Sequence, residues 1–257
     1  MDAPNPGTLF VGSQVIRLPE VDSTNSYALR MIRNTTVQEG CVVRADFQSN
    51  GRGQRGAEWK GERGKNIACS VIFKPVFLEV DQQFDLTRAV ALAVADMFTE
   101  YFPLLKVNIK WPNDIYAADK KVAGILVENI ISGNTLQYAV VGIGINLDQE
   151  TFPPELPDAI SVFQLTGSKT DHDEVYRTLY SALEARYLQL RGGKTEKIRS
   201  DYESCLFRKG IMSRFTDFKS VFSGKIISVD PGGKIQIEKE NGEKAGYAFK
   251  EIGMLLH

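Results

Sequence analysis

Lys110-Trp111-Pro112-Asn113-Asp114-Ile115-Tyr116-Ala117-Ala118-Asp119-Lys120-Lys121-Val122-Ala123-Gly124-Ile125-Leu126-Val127-Glu128 reads as an apolar strand, a polar hairpin and a second apolar strand. Lys121 stands where the second strand leaves the turn. A lysine at a hairpin end is ordinarily a solvated charge, and Lys120 beside it is chemically its equal. The frame around the pair is what draws notice. Lys110-Trp111-Pro112-Asn113-Asp114 opens the hairpin, and Ala123-Gly124 begins its return with small residues that leave room for a ligand.

Working outward, residues 107–111, 122–131 and 136–147 predict three strands, two of them long. Residues 14–18, 41–47 and 66–74 predict three more. Between them, Asp22-Ser23-Thr24-Asn25 offers N-cap side chains to a helix over 25–33. Residues 84–101 are apolar on most faces and predict a buried helix. Val175, Leu179, Ala182, Leu183, Tyr187 and Leu190 recur at helical spacing within 173–190. Gly192-Gly193 ends that helix, and 195–205 predicts a short one. Beyond about residue 208 the pattern turns to short strands around Asp230-Pro231-Gly232-Gly233 and Asn241-Gly242. The expected fold is α+β: a mixed sheet with helices over residues 1–207, then a small β-barrel over 208–257.

The 257 residues carry a net charge of −1, 43% hydrophobic and 25% charged side chains, which fits a conventional core and leaves no overall footprint for nucleic acid. No apolar run is long enough to span a bilayer, and Met1-Asp2-Ala3-Pro4 lacks the regions of a signal peptide. Cys41, Cys69 and Cys205 are odd in number and widely spaced, so a reduced, cytoplasmic protein is expected. The only histidines are His172 and His257. That argues against a Ser-His-Asp triad or a His-ligated zinc site. His172 lies in a polar run that predicts a helix start and a solvated side chain. Gly61-Glu62-Arg63-Gly64-Lys65-Asn66 has the wrong spacing for a phosphate loop, and Gly142-Ile143-Gly144-Ile145-Asn146 lacks the third glycine of a dinucleotide fingerprint.

Two further clusters carry chemistry. In Gly51-Arg52-Gly53-Gln54-Arg55-Gly56, glycines let backbone amides approach a ligand while arginines clamp carboxylate or phosphate oxygens. A solvated or RNA-binding loop has the same composition. Trp59 in so polar a stretch packs on something, either a purine or its own loop. Such glycine density over 49–65 makes an ordered loop entropically expensive without a ligand. Ser23, Thr24 and Asn25 serve equally as helix caps or as hydrogen-bonding groups for a small polar head, and Gln48 could add an amide.

The Ser-Thr-Asn turn, GRGQRG, KWPND with KKVAGILVE, and GIGIN occur in the order seen in biotin protein ligases, and the chain resembles that family over about residues 14–150. The resemblance implies formation of biotinoyl-5'-AMP from biotin and ATP with magnesium, then transfer to a lysine of a carrier protein such as a carboxylase subunit. By likeness, Ser23, Thr24, Asn25, Gln48, Gly51, Arg52, Lys121, Gly124 and Gly142 would line the biotin pocket. Arg52, Gly53, Gln54, Trp59, Asn113, Lys121 and Asn146 would surround the nucleotide, with Lys121 and Arg52 catalytic and no resident metal. Asp114 is one candidate base for the transfer step, alongside water or a phosphate oxygen. A homodimer is compatible with the family.

Gln54 and Ala57 replace arginines frequent in the family, which implies weaker retention of the nucleotide. Only about a dozen residues precede the first strand, so a DNA-binding domain is not expected. Three rival readings are a lipoate-attaching ligase, a nucleic-acid-binding module and an inactive biotin sensor.

Overall fold

The computed structural model describes residues 7–256; residues 1–6, His257 and the side chain of Arg55 lie outside the description. Seven strands form one mixed sheet: β1 (Val15–Leu18), β2 (Val42–Ala45), β3 (Asn66–Phe73), β4 (Val107–Lys110), β5 (Asp114–Ala117), β6 (Lys120–Ser132) and β7 (Thr135–Asn146). Their spatial order is β1-β2-β3-β7-β6-β5-β4. Only β1 and β2 are parallel, and a parallel pair needs a crossover. Helix α1 (Thr24–Asn34) supplies it, packing on β2, β3 and β7.

On the opposite face lie α2 (Gln83–Tyr101) and α4 (His172–Arg191), joined by α5 (Thr195–Ser204) and the short α3 (Val162–Thr166). The alternation of β7 explains the layering: Val141, Ile143 and Ile145 enter the main core with Leu86, Phe98 and Leu183. Ala28 of α1 joins Val43, Ile72 and Val140 in a smaller core on the other face.

The central hairpin differs from expectation. Residues 114–117, read as part of a polar turn, form β5, which pairs with both β4 and β6. The turn itself is Ala118-Asp119, both left-handed at φ 48° and 61°. Such a two-residue turn usually carries Asn-Gly, so its sequence signal is weak. The short α3 was also not foreseen.

The C-terminal residues form an antiparallel sheet of β8 (Ser213–Thr216), β9 (Val221–Val229), β10 (Ile235–Lys239), β11 (Lys244–Tyr247) and β12 (Gly253–Leu255), ordered β11-β10-β9-β8-β12, compatible with an SH3-like barrel. Its Phe215, Ile226 and Ile237 belong to the same core cluster as α2. A clasp fixes the arrangement. The buried Arg88 of α2 pairs with Asp85 at 2.6 Å and donates to the carbonyls of Val229, Asp230 and Pro231. Gly233 sits against Phe84 at φ +95°, where a Cβ would come within 2.5 Å of the ring. Trp111 Nε1 donates to the Gly233 carbonyl at 2.9 Å, so the β9–β10 turn is tied to both α2 and the opening of the KWPND hairpin. Among the described residues, no helix is long and apolar enough to cross a membrane.

Candidate active site

The sheet face opposite the main core is hollowed by small residues. Register pairs Ser70 with Gly142, Ala68 with Gly144, Gly124 with Gly144 and Leu126 with Gly142. The isoleucines between these glycines point into the core, so removing side chains here opens a ligand-sized space without thinning the core. The result is a cavity of about 390 Å³. That is the scale of a small-molecule site. The GIGIN glycines are therefore strand residues that floor a cavity, not members of a loop.

One end of the cavity is polar. Ser23, Thr24 and Asn25 are buried at the start of α1 and line it. Ser23 caps the helix by accepting from the Ser26 amide at 3.5 Å, and Thr24 donates its amide to Gln48 Oε1 at 2.8 Å. The cluster both starts the helix and presents polar groups to the cavity. Ser70 Oγ lies 2.5 Å from Asn25 Oδ1 and 2.7 Å from Thr24 Oγ1. Asn25 Nδ2 donates to Glu128 Oε2 at 2.9 Å, while Arg52 Nη2 reaches Glu128 Oε1 at 2.7 Å. Glu128 thus joins the α1 turn to the glycine loop.

That loop covers the cavity. Its backbone closes on itself through Gly53 N to Ala57 O at 2.6 Å and Trp59 N to Gly51 O at 2.9 Å. Gly53, Gln54 and Trp59 line the space beneath. The Trp59 indole lies over the glycine floor: a Cβ on Gly144 would come within 2.3 Å of it. Gly61 to Asn66 serves another purpose, since Arg63 donates to the Pro19 carbonyl and pairs with Glu20.

Lys121 occupies the middle. Its Nζ lies 2.7 Å from Asp114 Oδ1 and 5.9 Å from the Trp59 ring centroid, beside Gly124. Lys120, one residue back, is exposed and does not line the cavity. The Lys121 backbone is held from both sides, by its amide on the Asp158 carbonyl at 2.6 Å and its carbonyl on the Ile160 amide at 3.0 Å. Past Lys121 the wall is Lys110, Trp111, Pro112 and Asn113, the last also bonded to Ile125 across the hairpin. Phe207, Phe249 and Ile252 close the cavity from the barrel side.

Two residues assigned to the pocket lie outside its lining. Gly51 is beside it under the loop, where a Cβ would meet the Trp59 carbonyl at 2.3 Å; its glycine permits the loop to close. Asn146 is buried and spends its amide on the Ile160 and Lys121 carbonyls at 3.1 and 3.5 Å, holding Lys121 in place rather than facing the cavity. His172 is only partly solvated. It opens α4 as expected, but its Nε2 lies 3.1 Å from Asp148 Oδ2.

Other lining groups carried little sequence signal. Ser70 is the one hydroxyl in the wholly buried strand NIACSVIF, which could have marked it. The barrel residues had no local signal. Cys69 also lines the cavity, but burial pushes its thiol up to about 12, which removes it as a nucleophile near neutral pH. Burial holds the Lys110 ammonium below the usual lysine range and raises the Tyr116 phenol above its own. Among the described residues, no group of three His, Cys, Asp or Glu side chains could hold a metal ion.

Known proteins share this architecture. The model of the biotin/lipoate A/B protein ligase family matches residues 18–146. The bifunctional ligase/repressor BirA of Bacillus subtilis is 31% identical over 245 residues, covering 94% of this chain and 74% of that protein. The biotin–[acetyl-CoA-carboxylase] ligase of Mycobacterium tuberculosis is 31% identical over 188 residues, 72% of this chain and 68% of the relative. Among solved structures, the biotin protein ligase from Aquifex aeolicus in complex with biotin and ATP superposes with a TM-score of 0.79 at 26% identity, covering 95% of this chain and 99% of that one.

Proposed function

Because the chain belongs to the biotin/lipoate A/B protein ligase family, we infer that its glycine-floored cavity is where biotin is activated and passed on. The activity is ATP-dependent biotin–protein ligation. In the first step a biotin carboxylate oxygen attacks the α-phosphorus of ATP, the bond to the β-phosphate oxygen breaks, and pyrophosphate leaves. In the second, the amine of a carrier lysine attacks the acyl carbon of biotinoyl-5'-AMP and AMP departs with the bonding pair.

The observation that carries the reading is a polar end, a cation and a wall of Lys110, Trp111, Pro112 and Asn113 along one cavity. Biotin's ureido ring would meet Ser23, Thr24, Asn25 and Gln48, with its rings over Gly124 and Gly142. Its carboxylate would then reach Lys121. Bringing a carboxylate to a phosphate joins two anions, and preorganised positive charge lowers that barrier. Lys121 and Arg52 are the residues we assign to this task, and the rigid support of the Lys121 backbone favours it. Trp59, Gly53, Gln54 and Asn113 would border the nucleotide, with Asn146 acting through Lys121.

Magnesium would enter as the counter-ion of ATP. Such an ion keeps several waters and needs only one or two carboxylates beside the phosphates. Asp114 is placed to be one, so the donor set fits, and the ion would offset triphosphate charge. The carrier amine has a reference pKa near ~10.4 and must lose a proton before attack. Asp114, water or a phosphate oxygen could accept it.

We also assign residues 1–207 to a catalytic domain and 208–257 to a barrel domain, and take a biotin carboxyl-carrier protein as partner. Free Cys41, Cys69 and Cys205 suit a reducing cytoplasm. A homodimer is a separate proposal, which sedimentation at several concentrations with and without biotin would decide.

Biotin-dependent exchange of labelled pyrophosphate into ATP tests the central reading. Removing one electrostatic donor from a transition state costs about 10²–10³ in rate, so Lys121→Ala should lose at least that much exchange with its fold intact. Exchange at the unsubstituted rate would refute the role of Lys121. Competition between lipoate and biotin separates the two ligand classes of the family.

A further inference from the structure

We propose that Lys110 grips the pyrophosphate end of ATP, held in position by the Tyr116 hydroxyl. This rests on the ligase reading above. Lys110 of β4 pairs with Asp114 of β5, which pairs in turn with Gly124 of the cavity floor. Lys110, Asp114 and Gly124 therefore share one sheet face. Lys110 lines the cavity, is half-buried, and places its Nζ 2.8 Å from Tyr116 Oη and 4.6 Å from the ring centroid.

Its charge is offset differently from that of its neighbours. Arg52 is bound by Glu128 at 2.7 Å and Lys121 by Asp114 at 2.7 Å. Lys110 instead bonds a hydroxyl and faces a ring, with the carboxylates of Asp114 and Asp158 also acting on its charge. The charged and titratable groups facing it are Asp114 and Tyr116 from β5, Lys121 from β6 and Asp158 from the segment before α3. Lys250 of the barrel lines the same cavity. Burial outweighs those two carboxylates and disfavours the ammonium, so a further anion brought against Lys110 would be stabilising.

Position along the sheet identifies that anion. From the polar end on β3, β7 and β6, the cavity runs past Lys121 to β5 and β4. With carboxylate and α-phosphate meeting at Lys121, Lys110 lies farther from the biotin head, where the β- and γ-phosphates extend. It would offset charge that develops on the leaving pyrophosphate as the α–β phosphoanhydride bond breaks. Tyr116 is a positioning residue, since its hydroxyl accepts from the ammonium and directs the remaining donors.

Lys110→Met removes the charge and keeps the stem. The KM for ATP and for pyrophosphate in the exchange reaction should each rise roughly tenfold or more, as for loss of a charge-assisted phosphate contact. Transfer of biotin from preformed biotinoyl-5'-AMP, which involves no pyrophosphate, should fall less than the exchange reaction does. Lys110→Arg should recover part of the loss. Tyr116→Phe deletes an acceptor from the ammonium, so the same two KM values should rise, by less than in Lys110→Met, with kcat little changed. Unchanged KM values in Lys110→Met, or equal losses in both half-reactions, would overturn the proposal and leave Lys110 a support for the hairpin. No biotin-dependent exchange by the unsubstituted protein would instead sink the ligase reading.

Discussion

Gly142→Ala tests the cavity floor where it meets the polar end. Gly142 is not among the positive-φ residues, so alanine meets no backbone strain there. The obstacle is space: a Cβ would sit 2.3 Å from Asn25 Oδ1 and 2.9 Å from its Cγ. Since C···O approach is normally about 3.3 Å, the Asn25 amide would have to retreat by about 1 Å. That movement breaks its contact with Ser70 at 2.5 Å and misaligns its donation to Glu128 at 2.9 Å. A neutral bond is worth about 1 kcal/mol and one to a charged group about 1.5–3 kcal/mol; water recovers part, leaving a cost of about 2–3 kcal/mol. The melting temperature should fall by about 4–12 °C for a protein of this size. Biotin, deprived of a well-placed Asn25, should bind about 10–100-fold more weakly, corresponding to about 1.4–2.8 kcal/mol. Calorimetric titration and thermal melting give the two numbers. The double-mutant cycle with Asn25→Ala decides the cause, because the methyl group has nothing to hit once the amide is gone. The double variant should be no worse than Asn25→Ala alone. Simple additivity of the two losses would refute the reasoning.

Arg88→Ala should destabilise the protein by about 1–3 kcal/mol, because it leaves the β9–β10 carbonyls without their buried donor while Asp85 keeps Arg199; a loss below about 1 kcal/mol by urea unfolding would dismiss the clasp. The backbone amides of residues 49–65 should gain hydrogen-exchange protection with biotin plus ATP, since the loop covers the cavity mainly through its own bonds and Trp59. Equal exchange in both states would count against ligand-driven ordering. The Arg30 guanidinium holds Asp22 at about 2, below its usual 3.8, so this pair's contribution is complete above pH ~4 and disappears as pH falls through about 2. Both side chains are largely exposed, so the effect should be small and weakened by salt. NMR titration of the Asp22 carboxyl at an ordinary pKa would contradict it.

By itself the sequence determined the elements whose period is strong. The helix ending at Tyr101, the one carrying Val175 to Leu190, and the long strands around Ile125 and Ile143 follow from where apolar side chains recur. It also determined the family, because ordered motifs are local strings. Tertiary structure decided what depends on distant register. Lys120 and Lys121 are the same chemistry in the sequence; pairing across β5 and β6 exposes one and brings the other to Asp114. Asn146 belongs to a motif yet turns its amide to Lys121 and Ile160, since backbone carbonyls left by a neighbouring loop claim it. Ser70, Glu128 and Lys110 acquire their places from neighbours 45, 103 and 6 positions away in the chain. The barrel's Phe249 lines the cavity beside Trp111, whose indole also holds the turn between β9 and β10. Alternation along one strand can be read from the sequence, but which strands lie side by side is set by packing of the whole chain.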